Sequence, residues 1–215
     1  MIKRRSFTQW LGCFVAALAM GLPQFALADE APDVFIKRLS DDVLNAIKAD
    51  EKIKSGEIGR IIALVDTKVM PNVDFARMTA AAVGPAWRQS SPDQKQKLQD
   101  EFKILLVRTY AGALAQVSEQ TISLKPMRSA PEDSEVVVRT EVRGRGDPIE
   151  LDYRLEKTAG QGSGWKIYNL NVLGVWLVET YRSQFAEITN TKGVDGLIAA
   201  LQERNKSNAA GVKKG

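Results

Sequence analysis

Two kinds of periodicity divide this chain. Phe35, Leu39, Val43 and Ile47 recur every four positions behind Pro32 and Asp33, which suit a first turn, so a helix is predicted over about 32–49. Ile58, Ile61, Ile62, Val65 and Val69 form a second helical stripe that stops before Pro71. Asn72 or Asp74 can start a short third helix carrying Phe75, Met78 and Ala82, which ends at Gly84-Pro85. Ser91-Pro92-Asp93-Gln94 reads as a capping box with proline at the first helical position. It opens the longest predicted helix, whose apolar face runs Leu98, Phe102, Leu105, Leu106, Thr109, Tyr110, Ala113 and Val117.

Near residue 120 the period falls to two. Ile122 and Leu124 alternate before Pro126; Val136, Val138, Thr140 and Val142 alternate next; then come Ile149, Leu151, Tyr153 and Leu155, interleaved with charged residues. Trp165, Ile167, Tyr168, Leu170 and Val172 complete the series, with an ambiguity: Ile167 and Tyr168 are both apolar, so one faces out or marks a bulge. Glycine-rich turns at 144–147 and 160–164 separate the later strands and predict an antiparallel meander. After Gly174 the helical period returns with Val178, Tyr181, Phe185 and Ile188, and a last helix carries Val194, Leu197, Ile198 and Leu201. The expected fold is α+β: a four-stranded curved antiparallel sheet covered by N-terminal and C-terminal helices, enclosing an apolar pocket.

The first 28 residues follow a different logic. Lys3, Arg4 and Arg5 precede an apolar run from Leu11 to Leu22, and Ala26-Leu27-Ala28 offers a small-x-small cleavage pattern, so residues 1–28 read as a secretory signal peptide. The apolar run is well short of the ~20 residues that a membrane-spanning helix needs. Arg4-Arg5-Ser6-Phe7 partly matches a twin-arginine export signal, but Thr8 stands where a second apolar residue is expected, and an ordinary basic region is the favoured reading. The remaining divisions are a single domain over 29–206 and a small, basic, flexible tail over 207–215.

Cleavage changes the charge argument. The chain has 30 basic and 26 acidic residues, but three of the basic ones leave with the leader, and the mature excess is about +1. Nucleic-acid binding thereby loses its main support. Cys13, the only cysteine, leaves too, so the mature chain has neither disulfide nor thiol ligand. There is no histidine, which excludes Ser-His-Asp and Cys-His nucleophiles and histidine-ligated metals.

The remaining candidates for chemistry have plainer explanations. Glu150, Asp152 and Glu156 share a strand face and could act as an acid and base pair, but alternation with Arg154 predicts a solvated face anyway. Gly160-Gln161-Gly162-Ser163-Gly164 lies between strands and opens no helix, so it is a turn and not a dinucleotide loop. Arg145-Gly146-Asp147 sits in a hairpin loop where such residues are expected. What stands out is large apolar and amphipathic surface that could line a cradle for an apolar ligand, with tyrosine hydroxyls at its mouth.

Several segments then become recognisable in order. They are Trp87-Arg88, the Ser91 cap, the stretch from Leu106 to Leu114, Leu151-Asp152-Tyr153-Arg154-Leu155, Trp165-Lys166-Ile167-Tyr168-Asn169, Tyr181-Arg182-Ser183-Gln184-Phe185 and Gly193-Val194-Asp195-Gly196-Leu197. In their order and spacing, over about 32–205, the chain resembles the MlaC family, also called toluene-tolerance or organic-solvent-tolerance auxiliary proteins. The resemblance implies a monomeric periplasmic phospholipid carrier without catalysis or cofactor, its only bound group being phospholipid cargo. Its implied role is to shuttle lipid between the membranes and so maintain outer-membrane lipid asymmetry. Its implied partners are an outer-membrane lipoprotein complex and an inner-membrane ABC transporter with an MCE-domain subunit.

On that reading the lipid-binding residues are Phe102, Leu106 and Tyr110 on the long helix, and Tyr153, Leu155, Tyr168, Leu170 and Val172 on the strands. Val175, Trp176, Val178, Tyr181 and Phe185 follow the sheet. Trp176 departs from the family, which usually carries a small residue there, and Trp176→Ser is expected to change the bound lipid more than the stability. Arg143, Arg145 and Lys37-Arg38 are candidate contacts for acidic partners or phosphate, with a solvated surface the favoured reading. Two competing readings are an exported binding protein for another apolar molecule (a hopanoid, quinone or aromatic solvent) and an enzyme using Asp152 with a tyrosine.

Overall fold

A computed structural model of the chain describes residues 30–211, apart from 129, 131 and 159. The expected leader lies outside the described residues, as do the last four positions. The N-terminal half is helical: α1 (Pro32–Ala49), a short α2 (Glu51–Lys54), α3 (Ile58–Leu64), α4 (Phe75–Val83), α5 (Ala86–Gln89) and the long α6 (Pro92–Ala115). Strands β1 (Thr121–Leu124), β2 (Glu135–Arg143), β3 (Ile149–Lys157), β4 (Trp165–Val172) and β5 (Val175–Trp176) follow, and α7 (Leu177–Gly211) closes the chain.

The predicted caps are present. Ser91 Oγ accepts from Gln94 N at 3.2 Å and the Gln94 side chain accepts from Ser91 N at 2.9 Å, which satisfies two of the orphan donors at the start of α6. Asp74 accepts from Arg77 N at 2.8 Å and starts α4, which ends at Gly84 with φ +72°, a conformation that favours glycine. Two details were not foreseen. Asp50 caps α2, and the second stripe does not stay α-helical: after Leu64 the chain passes through a π-helical turn, Val65–Val69, and a 3₁₀ turn, Met70–Asn72.

The sheet is an antiparallel meander in the order β1-β2-β3-β4-β5, curved and unclosed. Its fifth strand is a correction to the expected four. Val175 and Trp176 pair with Val172 and Asn171 to form an edge strand, because the chain reverses in two residues at Leu173-Gly174, both at positive φ. The other half of the β4 edge is covered by Val73, which bridges to Ile167.

The ambiguity on β4 resolves as a bulge. Leu155 pairs with Ile167 and Arg154 with Asn169, so Tyr168 is the extra residue. Trp165 and Ile167 face the helices; beyond Tyr168 the parity changes and Leu170 and Val172 share the face of Tyr153 and Leu151. Asn169 turns to the other face. Its side-chain oxygen accepts from Val178 N at 3.2 Å and its amide donates to Glu179 at 2.8 Å, which fixes the start of α7 against the sheet.

Three apolar clusters hold these layers together. Phe35, Ile36 and Leu39 of α1 pack on Val138, Tyr153, Leu155 and Ile167. Ile47, Ile53, Ile61 and Leu64 pack on Val107 and Ala111 of α6. The largest joins α4, α6 and α7 around Phe102, which meets Phe75, Tyr181 and Phe185 at ring-centroid distances of 5.7, 4.9 and 5.3 Å. The two predicted C-terminal helices are both present within α7, separated by a kink at Gly193 (φ +67°), and helix continues through Gly211 into the expected tail.

Candidate functional site

Between these clusters lies a cavity of about 200 Å³. One wall is a stripe of α6: Lys103, Leu106, Val107, Tyr110 and Leu114, spaced at i, i+3, i+4, i+7 and i+11. Opposite stand Val65, Val69 and Met70 of the π and 3₁₀ turns with Val73, while Phe75 and Met78 of α4 contribute from one side. Tyr153, Ile167 and Leu170 of the sheet, with Leu177, complete the lining. Lys103 is its one charged side chain, and its ammonium is held at 2.8 Å by Asp66 of the π turn. Larger depressions near Ala31 and near Gly84, the latter flanked by Arg88 and Arg182, are open and mixed in polarity.

Of the residues named from the sequence, Leu106, Tyr110, Tyr153 and Leu170 meet in this cavity. Phe102, Leu155, Val178, Tyr181 and Phe185 do not; they are buried in the clusters, with other side chains on every side. Val172 packs on the α4–α6–α7 cluster. Tyr168, displaced by the bulge, lies on the outer face under the Arg77 guanidinium at 3.7 Å and donates to Glu135 at 3.1 Å. Trp176 is also on that face, 4.0 Å beneath Arg154, and Val175 is 49% exposed at the sheet edge.

Reading the sequence missed Val65, Val69, Met70, Val73, Phe75, Met78, Lys103, Val107, Leu114, Ile167 and Leu177. The usable signal was on α6: stepping from Leu106 by three and four residues reaches Lys103, Val107, Tyr110 and Leu114, whereas the predicted face included Thr109 and Ala113, which are exposed.

The Tyr153 hydroxyl is not at a mouth. Tyr153 is buried with its hydroxyl 3.5 Å from Ser40 Oγ, and burial pushes its pKa up to about 12 from an ordinary value near 10. Tyr110, half-buried in the cavity wall, is also raised, chiefly by desolvation. For Tyr153 the neutral form is favoured by folding. Its contribution is therefore complete below pH 10 and is lost as pH rises through about 12. Stability measured by denaturant unfolding should fall over that interval, by up to roughly 3 kcal/mol, and Tyr153→Phe should flatten the fall. Parallel declines in wild type and variant would remove Tyr153 as the cause.

The candidate charges have local partners. Glu150 pairs with Lys125 at 2.7 Å, Arg143 with Glu141 at 2.9 Å, Arg145 with Glu119 at 2.9 Å, Lys37 with Asp41 at 2.5 Å and Arg38 with Glu30 at 2.7 Å, while Glu156 pairs with Arg77. These are surface pairs of small energetic weight. Asp152 is raised in pKa mainly by desolvation, but it lies on the sheet face opposite its neighbour Tyr153, so the two do not converge on the cavity as an acid and base. Among the described residues no cluster of three carboxylate, thiol or imidazole side chains could hold a metal, and no helix is long and apolar enough to cross a membrane.

Known proteins share this architecture. A solved structure of a phospholipid-binding protein from Ralstonia solanacearum, in complex with a phospholipid, superposes with a TM-score of 0.78 at 47% sequence identity, covering 82% of this chain and 98% of that one. The intermembrane phospholipid transport system binding protein MlaC of Haemophilus influenzae is 25% identical over 181 residues, 83% of this chain and 84% of that protein. Toluene tolerance protein ttg2D of Pseudomonas putida is 24% identical over 180 residues, 83% of this chain and 82% of that protein. The family model described as MlaC protein matches residues 37–203, from the first helix through the last, and with that span matched the chain belongs to the MlaC family.

Proposed function

We propose that this protein is a periplasmic phospholipid carrier. The acyl tails enter the cavity between α6, the π turn and the sheet while the headgroup stays in water. The observation that carries the reading is the lining: apolar on every wall except for Lys103, in a chain 47% identical to a protein solved with a phospholipid. A carrier is physically necessary because each tail methylene costs about 0.8 kcal/mol in water, so a ~15-carbon tail costs roughly 12 kcal/mol. The protein would move lipid between an outer-membrane lipoprotein complex and an inner-membrane ABC transporter with an MCE-domain subunit, maintaining outer-membrane asymmetry. No catalysis is required of it.

Native mass spectrometry of the mature protein purified without detergent, followed by extraction and identification of what dissociates, tests this. A diacyl phospholipid in near-stoichiometric amount is expected. A hopanoid, quinone or aromatic compound in its place would make the protein a carrier of another class, and a protein that takes up nothing from lipid vesicles would end the carrier reading.

The placement of Trp176 reverses the expectation attached to it. Because it covers Arg154 on the outer face, Trp176→Ser should cost about 1 kcal/mol of stability through the lost cation–π contact and leave the co-purifying lipid unchanged. An altered lipid population at unchanged stability would put the indole back in the cavity.

A further inference from the structure

The lipid reading leaves one polar feature of the cavity without a role. Lys103 reaches its charge to the rim, where side-chain exposures of 23% for Lys103 and 43% for Asp66 put the ion pair within reach of water. Asp66 belongs to the π turn, a helical irregularity of the kind that recurs at functional sites, and no residue of Val65–Val69 is buried. Val65 packs, partly buried, on the cluster of Ile47, Ile53, Ile61 and Leu64, and the rest of the stretch is held chiefly at its ends. Ile61 and Leu64 are packed before it; after it, Lys166 donates to the Pro71 carbonyl and Asp74 N donates to Ile167 O at 2.9 Å. Between these anchors, the contact from Asp66 to Lys103 is a side-chain bond from the turn across to α6.

The cavity is also too small for the cargo. Pockets that enclose drug-sized ligands run to about 300–1,000 Å³, and a diacyl phospholipid is larger than such ligands, against the 200 Å³ here. A wall has to move, and the π turn is the wall with the fewest buried anchors.

Resting on the carrier reading, we propose that Lys103 binds the phosphate of the loaded phospholipid, which replaces Asp66 as its counter-ion and so frees the π turn to move outward. The exchange is chemically even. A phosphodiester and a carboxylate each carry one negative charge and accept charge-assisted hydrogen bonds, and the ammonium has three donors to give. A partly exposed ion pair is weak enough to yield. Because every glycerophospholipid carries the phosphate, the contact does not sort headgroups; it sorts phospholipids from uncharged lipids with the same tails.

Uptake from vesicles separates this from a merely structural clasp. Vesicles of phosphatidylethanolamine and phosphatidylglycerol doped with dioleoylglycerol are incubated with the full mature chain, and bound lipid is quantified by extraction. Lys103→Gln is expected to lower phospholipid loading about tenfold, the loss of one charge-assisted contact, without lowering dioleoylglycerol loading. Asp66→Asn removes the competitor and is expected to raise the phospholipid loading rate. If the pair only holds the wall in place, the two variants must move loading in the same direction, and that result overturns the proposal. So does phospholipid loading by Lys103→Gln equal to that of wild type. Inorganic phosphate in excess, at matched ionic strength, should leave wild-type loading unchanged; inhibition would make Lys103 a site for free phosphate and overturn the lipid assignment. Wild type that loads neither lipid overturns the carrier reading itself, and this inference with it.

Discussion

Phe102→Ala is expected to lose about 4 kcal/mol of folding stability, a large cost for a single side chain, because truncating a buried phenylalanine costs about 3–5 kcal/mol. Phe102 has no exposed surface and three aromatic neighbours, Phe75, Tyr181 and Phe185, which couple α4, α6 and α7 at one point. Edge and stacked contacts of this kind add about 0.5–1.5 kcal/mol each beyond area burial. For a chain of this length the melting temperature should fall by about 8–16 °C. Urea unfolding monitored by the amide signal measures it, and a loss below about 1.5 kcal/mol would mean that the cluster collapses to fill the space.

Leu106→Trp should do the opposite, leaving the fold nearly intact while emptying the protein of lipid. Leu106 is half-buried and its side chain borders the cavity, so an indole there grows into open volume and need not force its neighbours apart. The usual overpacking penalty of about 1–3 kcal/mol is then largely avoided. The space it takes is space the tails require, and co-purifying phospholipid, quantified by extraction, should drop about tenfold or more, which corresponds to 1.4 kcal/mol of lost binding. Wild-type lipid content in this variant would place the tails elsewhere in the molecule. The contrast between the two substitutions, four residues apart on one helix, separates a packing residue from a lining one.

That separation is what the sequence could not express. Helix α6 was legible in its start, its length and its apolar character, since Ser91, Pro92 and Gln94 announce the first turn chemically. Which apolar residues of α6 face a neighbour and which face a gap depends on where α3 and α7 lie, and a leucine in either setting has the same hydropathy. Phe102 and Leu106 therefore read alike. Val65 and Val69 read as ordinary members of an amphipathic stripe, because the widening from α to π spacing over Val65–Val69 leaves the apolar pattern of the stripe unaltered. Tyr153 was placed on the correct face by alternation, but the direction of its hydroxyl, toward Ser40 on α1, is a long-range fact. The antiparallel meander was legible because glycine turns and period-two runs are both local; the two-residue β5 was too short to show a period.

The bulge at Tyr168 has a consequence for how this protein tolerates insertion and deletion. A strand carries one message per face, and an extra residue switches the message midway: before it Ile167 points toward the helices, after it Leu170 does, and Asn169 is free to cap α7 on the other side. Deleting that single position would leave Ile167, Asn169 and Leu170 opposite Leu155, Arg154 and Tyr153, the partners they already have, so the strand would become regular and keep its faces. Replacing the tyrosine ring would cost only its contacts with Arg77 and Glu135. Position 168 is therefore a place where β4 can lose a residue and keep its faces.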